Sequence, residues 1–184
     1  MNSTIRIVGL HSPLPQSGKS TIARHLAGKY AGRVYSIAGE IRQEAINRGM
    51  PFAAHAAAEY KDKPDRSLGG RSPRQVLISI GEEFTEAFGR DYWIKRLLVQ
   101  IDRDAPYLAI IDDVRRLEEG LAIEQAGGDV ITIQRAAARK VADVGGWIPR
   151  VTVENNGELH QAVLAVAKAC RFHQLEHLRE RVPC

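Results

Sequence analysis

The clearest chemical pattern in the sequence is the run SGKST at residues 17–21. It follows a short apolar stretch, residues 5–10, whose β-branched content predicts a buried strand. The segment after it has apolar residues at helical spacing and predicts a helix. A phosphate chain needs backbone N–H groups, a helix N-terminus and a cation, and a loop of this kind supplies all three. The pattern therefore predicts a phosphate-binding loop.

Each residue of this loop has an expected role. Gly18 lets the backbone approach the phosphates closely, and Lys19 reaches the β- and γ-phosphates. Ser20 would bind Mg²⁺ through its hydroxyl, and Thr21 would donate to the α-phosphate. Pro13 stands where the full G-x-x-x-x-G-K-[ST] pattern has its first glycine, and proline lacks an N–H. A turn that merely contains Gly-Lys-Ser, or an altered nucleotide site, is the alternative.

A second pattern, YLAIIDDVR at residues 107–115, is an apolar strand that ends in Asp112 and Asp113. An acid at such a strand end can hold Mg²⁺ or its waters beside a phosphate loop. Acids at strand ends also cap the helix that follows. Beside the phosphate loop the first interpretation is favoured, so Ser20, Asp112 and Asp113 are the predicted metal ligands.

The surrounding elements alternate between strands and helices. Apolar strands are predicted at about residues 5–10, 34–37, 107–111, 130–133 and 151–153, with helical patterns between them. A helix is expected to begin at Ser72, with Pro73 in its first turn and Gln75 completing a capping box. Strands that are apolar on both faces predict an α/β domain with a mostly parallel sheet covered on both sides. Ligands of such sheets bind at the carboxyl ends of the strands.

In the order of its motifs the chain resembles the phage-type deoxynucleoside monophosphate kinases, which are P-loop kinases. The resemblance covers roughly residues 4–165. It rests on the SGKST loop and on four further motifs: an R-x-x-L-x-x-x-G run from Arg74, a D-V-R-x-x-x-E segment from Asp113, a Gly-Gly pair before a strand ending in Arg135, and a V-x-N-x-G-x-L run from Val153. It implies a single three-layer sandwich domain over residues 1–184 with a five-stranded parallel sheet of order 2-3-1-4-5. It also implies Mg²⁺-dependent transfer of the γ-phosphoryl group of ATP to a deoxynucleoside monophosphate.

Phosphoryl transfer needs positioning and neutralisation of charge more than covalent help, and arginine suits this because its fork binds phosphate oxygens in two places. With the resemblance, Lys19, Asp113 and Arg115 are the expected catalytic residues, and residues 17–21 with Arg135 are expected to hold ATP. The acceptor would bind within residues 39–93, under a lid at about 136–149. The candidate acceptor-binding residues are Glu40, Arg71, Arg74, Asp91, Trp93, Glu119 and Arg139.

Several alternatives stay open. Trp93 could line a base pocket or pack in the core, and Glu40 could contact the acceptor or cap a helix. The lid segment after Arg135 reads ADVGGWIP where the family has an acid-x-His-x-x-Glu-like stretch. With Pro13, this departure leaves a nucleotide-binding protein without turnover as one alternative. A kinase of another acceptor, such as a modified base in DNA or a small metabolite, is the second.

Composition narrows the function classes. The 184 residues carry 44% hydrophobic and 26% charged side chains, which is typical of a globular domain rather than of disorder or a coiled coil. Lys and Arg total 26 against 22 Asp and Glu, a net charge of +4. That excess is small and the basic residues do not cluster with aromatic ones, so nucleic acid is not an expected partner.

The sequence also bears on location and assembly. No apolar run approaches the ~20 residues of a membrane helix, and the N-terminal residues do not look like a secretory signal. Cys170 and Cys184 form no C-x-x-C pair. A cytoplasmic protein is expected, in the host cytoplasm if the protein is viral. The apolar residues of the tail, 171–184, could pack on the domain or on a second subunit, which would make a homodimer.

Overall fold

The structure is a computed structural model, and it describes residues 5–13, 15–50, 60–136 and 151–172. Contacts between Cα atoms divide the chain into two compact units. We call Met1–Tyr35 with Leu98–Cys184 the core unit, and Ser36–Leu97 the inserted unit. The region 39–93, in which acceptor binding is predicted, lies within the inserted unit.

The core unit contains a five-stranded parallel sheet. Its strands are β1 (Arg6–His11), β2 (Arg33–Tyr35), β3 (Leu108–Val114), β4 (Asp129–Gln134) and β5 (Val151–Glu154). The spatial order is β2-β3-β1-β4-β5, and every neighbouring pair is parallel. The predicted α/β class and the order 2-3-1-4-5 are therefore confirmed. In this order β1 is central, so the loop that follows it leaves the middle of the sheet.

The helices are α1 (Lys19–Tyr30), α2 (Ile37–Asn47), α3 (Pro73–Phe88), α4 (Tyr92–Asp104), α5 (Leu117–Gln125) and α6 (Leu159–Ala169), and a 3₁₀ turn spans Arg66–Leu68. None of the helices in these described segments is long and apolar enough to cross a membrane. The capping box predicted for α3 is present: Ser72 accepts the Gln75 N–H at 3.3 Å, and the Gln75 side chain accepts the Ser72 N–H at 2.8 Å.

Helices cover both faces of the sheet in the core unit. On one face α1 and α6 pack against alternate residues of the central strands, among them Val8, Leu10 and Ile110. On the other face α5 lies over β1, where a Cβ on Gly9 would come within 2.8 Å of Ile123 Cδ1. Any larger residue at that point in the central strand would require the Ile123 side chain to shift. Burial on both faces explains why the strands carry apolar residues at consecutive positions.

Strand β3 is longer than the sequence predicts. The expected strand ended at residue 111, before the two acids, whereas β3 continues to Val114. Val114 is fully buried and pairs with His11 of β1, across an irregularity in the register that follows Gly9. Burial of this valine extends the strand past Asp112 and Asp113, so both acids lie within the strand rather than after it.

Candidate active site

The predicted phosphate loop lies between β1 and α1. Gly18 has a φ of +94°, in the left-handed region that favours glycine, and α1 begins at the next residue. The first hydrogen bond of the helix runs from the Ile22 N–H to the Gly18 carbonyl at 2.9 Å. Because the N–H groups that precede it make no bond within the helix, they are available to an anion at this end.

Lys19 lies among charged groups of the core unit. Its Nζ is 3.5 Å from Ser17 Oγ. Burial lowers the pKa of Lys19 and the positive charge of Arg115 lowers it further, whereas Asp112 and Asp113 raise it. The structure therefore brings Lys19 of the phosphate loop together with Asp112, Asp113 and Arg115, which lie in a second and distant segment of the sequence.

Asp112 is joined to the phosphate loop by a hydrogen bond from the side chain of Ser20. Burial raises the pKa of Asp112, and the neighbouring charge of Asp113 raises it further, while the Ser20 bond opposes both effects. A hydroxyl and carboxylates are the oxygen ligands that Mg²⁺ prefers, and Mg²⁺ commonly takes one or two carboxylates together with substrate phosphates and water. The donor set fits Mg²⁺, and a cation there would relieve the repulsion between the two acids. Within the described segments no group of three or more His, Cys, Asp or Glu forms a complete protein cage for a metal.

Glu119, a candidate for substrate binding, contacts the backbone in this structure. It is 8% exposed, and its Oε2 accepts the backbone N–H groups of Arg115 at 2.8 Å and Arg116 at 3.0 Å. Burial raises the pKa of Glu119, these two bonds lower it, and the charge of Asp113 adds to the rise. Glu119 thus holds the chain where β3 ends and α5 begins, and the Arg115 side chain is exposed there.

Two further polar residues of the core unit were not expected at the site. His11 ends β1, and its Nδ1 lies 3.1 Å from Thr132 Oγ1 of β4. Burial lowers the pKa of His11 to about 4, and the positive charge of Lys19 contributes to this. At neutral pH the His11 imidazole is therefore uncharged beside Lys19. The only sequence feature that points to His11 as a site residue is its position directly after the apolar part of a strand.

Asn155 is the asparagine of the V-x-N-x-G-x-L motif, and the motif by itself indicates no role for it. Its Nδ2 donates to the Ser17 carbonyl oxygen at 2.8 Å, across 138 positions of sequence. Its backbone N–H donates to the Gln134 carbonyl at 2.7 Å, which continues the pairing of β4 with β5. The turn after β5 therefore contacts the phosphate loop directly, which the motif alone does not reveal.

The inserted unit contains a cavity of about 530 Å³, a volume typical of small-molecule sites. Its apolar lining comes from α2, α3 and the residues after α2, and includes Met50, Val76 and Ile80. Its polar lining includes two arginines, Arg48 and Arg71. Glu83 also lines the cavity, which therefore combines an apolar surface for a ring system with two guanidinium groups and one carboxylate.

The two arginines of the cavity differ in their partners. Arg48 forms a two-pronged ion pair with Glu83, at 2.7 and 2.8 Å, and a further bond to Glu44 at 3.2 Å. Arg71 is exposed and, within the part of the chain that the structure describes, forms no ion pair. Of the candidate acceptor-binding residues that the structure describes, Arg71 is the one that lines the cavity.

Two other candidates make surface ion pairs within the inserted unit. Arg74 Nε lies 2.6 Å from Asp62 Oδ1, and both side chains are more than half exposed. Asp91 Oδ2 lies 2.6 Å from Lys95 Nζ, one turn further along the chain. Neither residue lines the cavity, so their binding roles stay predictions.

The remaining candidates of the inserted unit are held by internal contacts. Glu40 Oε2 lies 2.9 Å from Arg96 Nε, in the first turn of α2. Trp93 is 4% exposed, and its indole N–H donates to the Gly81 carbonyl at 3.1 Å. For Trp93 the contacts favour the interpretation as a core residue over that as part of a base pocket.

The segment after β4 is described only in part. Arg135 is exposed directly after β4, at the carboxyl edge of the sheet, where an ATP-binding residue is predicted. Arg139 and residues 137–149 of the predicted lid lie outside the described residues.

No protein-family model matches the sequence, and no curated protein matches it significantly. The fold is similar to solved structures. An unliganded sugar kinase from Janibacter sp. HTCC2649 matches with a TM-score of 0.51 and 12% identity, over 89% of this chain and 93% of that one. The protein TT1252 from Thermus thermophilus matches with a TM-score of 0.53 and 15% identity, over 93% of this chain and 98% of that one. At such low sequence identity, these structural matches show a similar fold and nothing more. With its sheet order and its SGKST loop after the central strand, the chain has a P-loop kinase-like fold.

Proposed function

We propose that the protein transfers the γ-phosphoryl group of ATP to a deoxynucleoside monophosphate, with Mg²⁺ as the cofactor. The observation that carries this proposal is the hydrogen bond from Ser20 to Asp112, beside Lys19. It joins the hydroxyl of the phosphate loop to an acid of the neighbouring strand, which is how P-loop enzymes hold Mg²⁺ against nucleotide phosphates. A turn that contained Gly-Lys-Ser by chance would not require an acid at this position.

On the donor side, the core unit would bind the phosphates of ATP and neutralise their charge. The N–H groups at the start of α1 would cradle them, while Lys19 would contact the β- and γ-phosphates. Ser20, Asp112 and Asp113 would hold Mg²⁺, which neutralises charge on the phosphate oxygens. Arg115, whose charge acts on Lys19, would stabilise the charge that develops as the γ-phosphorus leaves the bridging oxygen of ADP.

On the acceptor side, the cavity of the inserted unit supports an anionic acceptor with a ring system. Arg71 would pair with the acceptor phosphate, because a guanidinium binds phosphate oxygens in a two-pronged manner. The apolar lining around Val76 and Ile80 would contact the sugar or the base. A phosphate oxygen of the acceptor would attack the γ-phosphorus, giving ADP and the nucleoside diphosphate.

The direct test is an acceptor screen. The protein is incubated with ATP, Mg²⁺ and, one at a time, the four deoxynucleoside monophosphates, the four ribonucleoside monophosphates and a panel of sugars, and the products are separated by ion-exchange chromatography. We expect a deoxynucleoside diphosphate and an equal amount of ADP. A phosphorylated sugar with no diphosphate would contradict the proposed acceptor and favour a kinase of another metabolite.

Pro13 favours one second candidate, a protein that binds nucleotide without turnover, because it removes one backbone N–H from the loop. Isothermal titration with ATP distinguishes this candidate. Tight binding of ATP, without transfer to any acceptor in the screen, would support it against the kinase.

A further inference from the structure

We infer that Asn155 is a positioning residue of the phosphate loop, which orients the peptide bond between Ser17 and Gly18 so that the Gly18 N–H can bind phosphate. The inference rests on the proposed function only in taking this loop to bind a phosphate chain. It concerns a side chain from the turn after β5, far from the loop in sequence.

The geometry of a peptide bond links the two groups. The Ser17 carbonyl accepts the Asn155 Nδ2–H at 2.8 Å. In a trans peptide the C=O and the following N–H point in opposite directions. Holding the carbonyl toward Asn155 therefore directs the Gly18 N–H away from it. Rotation of this peptide would turn a carbonyl oxygen toward the anion and would repel it.

The space around Gly18 is matched to this arrangement. A Cβ at residue 18 would collide with Asn155 Nδ2. Residue 18 must be glycine for a second reason, because its φ is +94°. The amide of Asn155 thus lies directly against the backbone that the phosphates would approach from the other side.

Pro13 makes the orientation of this peptide more important. Proline at the first glycine position of the pattern removes one N–H that a loop of this kind ordinarily offers. Fewer donors remain, so the loss of the Gly18 N–H would remove a larger share of phosphate binding. Asn155 is itself anchored, because its backbone N–H is bonded to Gln134 at the end of β4.

The neighbouring residue supplies a matched control. Asn156 is exposed in the same turn, but its Oδ1 accepts the Ala136 N–H at 2.6 Å and its Nδ2 donates to Glu154 at 2.9 Å. Asn156→Leu and Asn155→Leu therefore make the same chemical change one residue apart, and only the second removes the bond to the loop.

The experiment measures binding of ATP and of inorganic tripolyphosphate to the full chain by isothermal titration, with Mg²⁺ present. We expect Asn155→Leu to weaken both ligands about tenfold, since a carbonyl loses its donor and the peptide can rotate. We expect Asn156→Leu to change both by less than about threefold. Because tripolyphosphate has no base, a role of Asn155 in contacting adenine would weaken ATP alone and would overturn the inference. Equal losses in the two variants would also overturn it.

A second measurement does not depend on a folded variant. In ¹⁵N-labelled wild-type protein, tripolyphosphate should shift the Gly18 amide resonance strongly, and an unshifted Gly18 amide would overturn the inference.

The role of Asn155 and the proposed kinase activity can be refuted separately. If Asn155→Leu weakens tripolyphosphate binding in a protein that transfers no phosphoryl group, the kinase activity is refuted and the role of Asn155 is supported. A wild-type protein that binds neither ATP nor tripolyphosphate would refute both.

Discussion

The carboxylate of Glu119 accepts the backbone N–H of Arg115 at 2.8 Å. The acid that the D-V-R-x-x-x-E motif marks for substrate binding therefore holds the backbone of another residue of the same motif. The same oxygen accepts the Arg116 N–H, so a single carboxylate satisfies two donors at the start of α5. The motif spacing places Glu119 at the third position of that helix, where a side chain can reach back to the cap.

This relationship predicts different results for two substitutions of Glu119. Glu119→Ala should lower the free energy of unfolding by about 1–3 kcal/mol, because two N–H groups lose a buried acceptor. Glu119→Gln should keep most of the stability, since its amide oxygen can accept the same bonds and burial already disfavours the charged carboxylate. Urea denaturation measures both. If the Gln variant were stable but inactive, Glu119 would also contact the substrate.

Asp112→Asn should stabilise the ligand-free protein while abolishing most activity. Burial and Asp113 raise the pKa of Asp112, so the folded state holds this proton more tightly than the unfolded chain. The contribution of Asp112 to stability therefore falls as pH rises from the unfolded pKa, 3.8, through the raised folded value. At pH 7 the variant should melt at a higher temperature than wild type and transfer phosphate at least about 10²-fold more slowly. Thermal unfolding without ligand tests this, and a lower melting temperature would contradict it.

Lys19→Ala should reduce phosphoryl transfer by at least about 10²-fold, because Lys19 is the expected cation on the transferred group. The fold should be retained, since burial and Arg115 already disfavour the positive charge of Lys19 in the ligand-free protein. Lys29→Ala, at the exposed last turn of the same helix, is the control and should keep full activity. Full activity of the Lys19 variant, measured as ADP formed per minute, would place the active site elsewhere.

Arg71→Ala should raise the KM for the acceptor about tenfold and leave the KM for ATP within about twofold, because Arg71 lines the cavity of the inserted unit. Arg66→Ala removes a nearby exposed arginine that is not among the residues lining the cavity, and it should change neither constant. Steady-state kinetics with each substrate varied in turn separates the two effects. Equal kinetics of the two variants would argue against acceptor binding in this cavity.

His11 should make the protein less stable in acid. Its pKa is lowered from 6.5 to about 4, so the unfolded chain takes up this proton at a higher pH than the folded protein does. The contribution of His11 to the free energy of unfolding is complete above pH 6.5. It is lost as pH falls from 6.5 to 4, at up to about 1.4 kcal/mol per pH unit. His11→Gln should show a shallower decline over that range in urea denaturation. Parallel curves for the two proteins would show that His11 is not the group responsible.

Most of the fold was predictable because it follows from local patterns. Apolar runs bounded by turns located the strands, and Ser72 with Gln75 located the start of α3, since both depend on neighbours in sequence. The end of β3 was not predictable in this way. Two acids are a usual stop for a strand, and only the burial of Val114 against the sheet shows why β3 continues.

The sequence alone determined the phosphate loop, the strand-end acids and the class of fold, because each depends on residue types at short and regular spacing. The tertiary structure decided which side chains those elements meet. It brought Asn155 to the Ser17 carbonyl, His11 to Thr132 and Glu119 to the backbone of Arg115, and in the inserted unit it left Arg71, rather than Arg74, at a cavity. The Glu119 bond is local in sequence, but the other contacts depend on how strands and helices are packed. Strand order and packing are properties of the whole chain, so a local pattern does not predict these contacts.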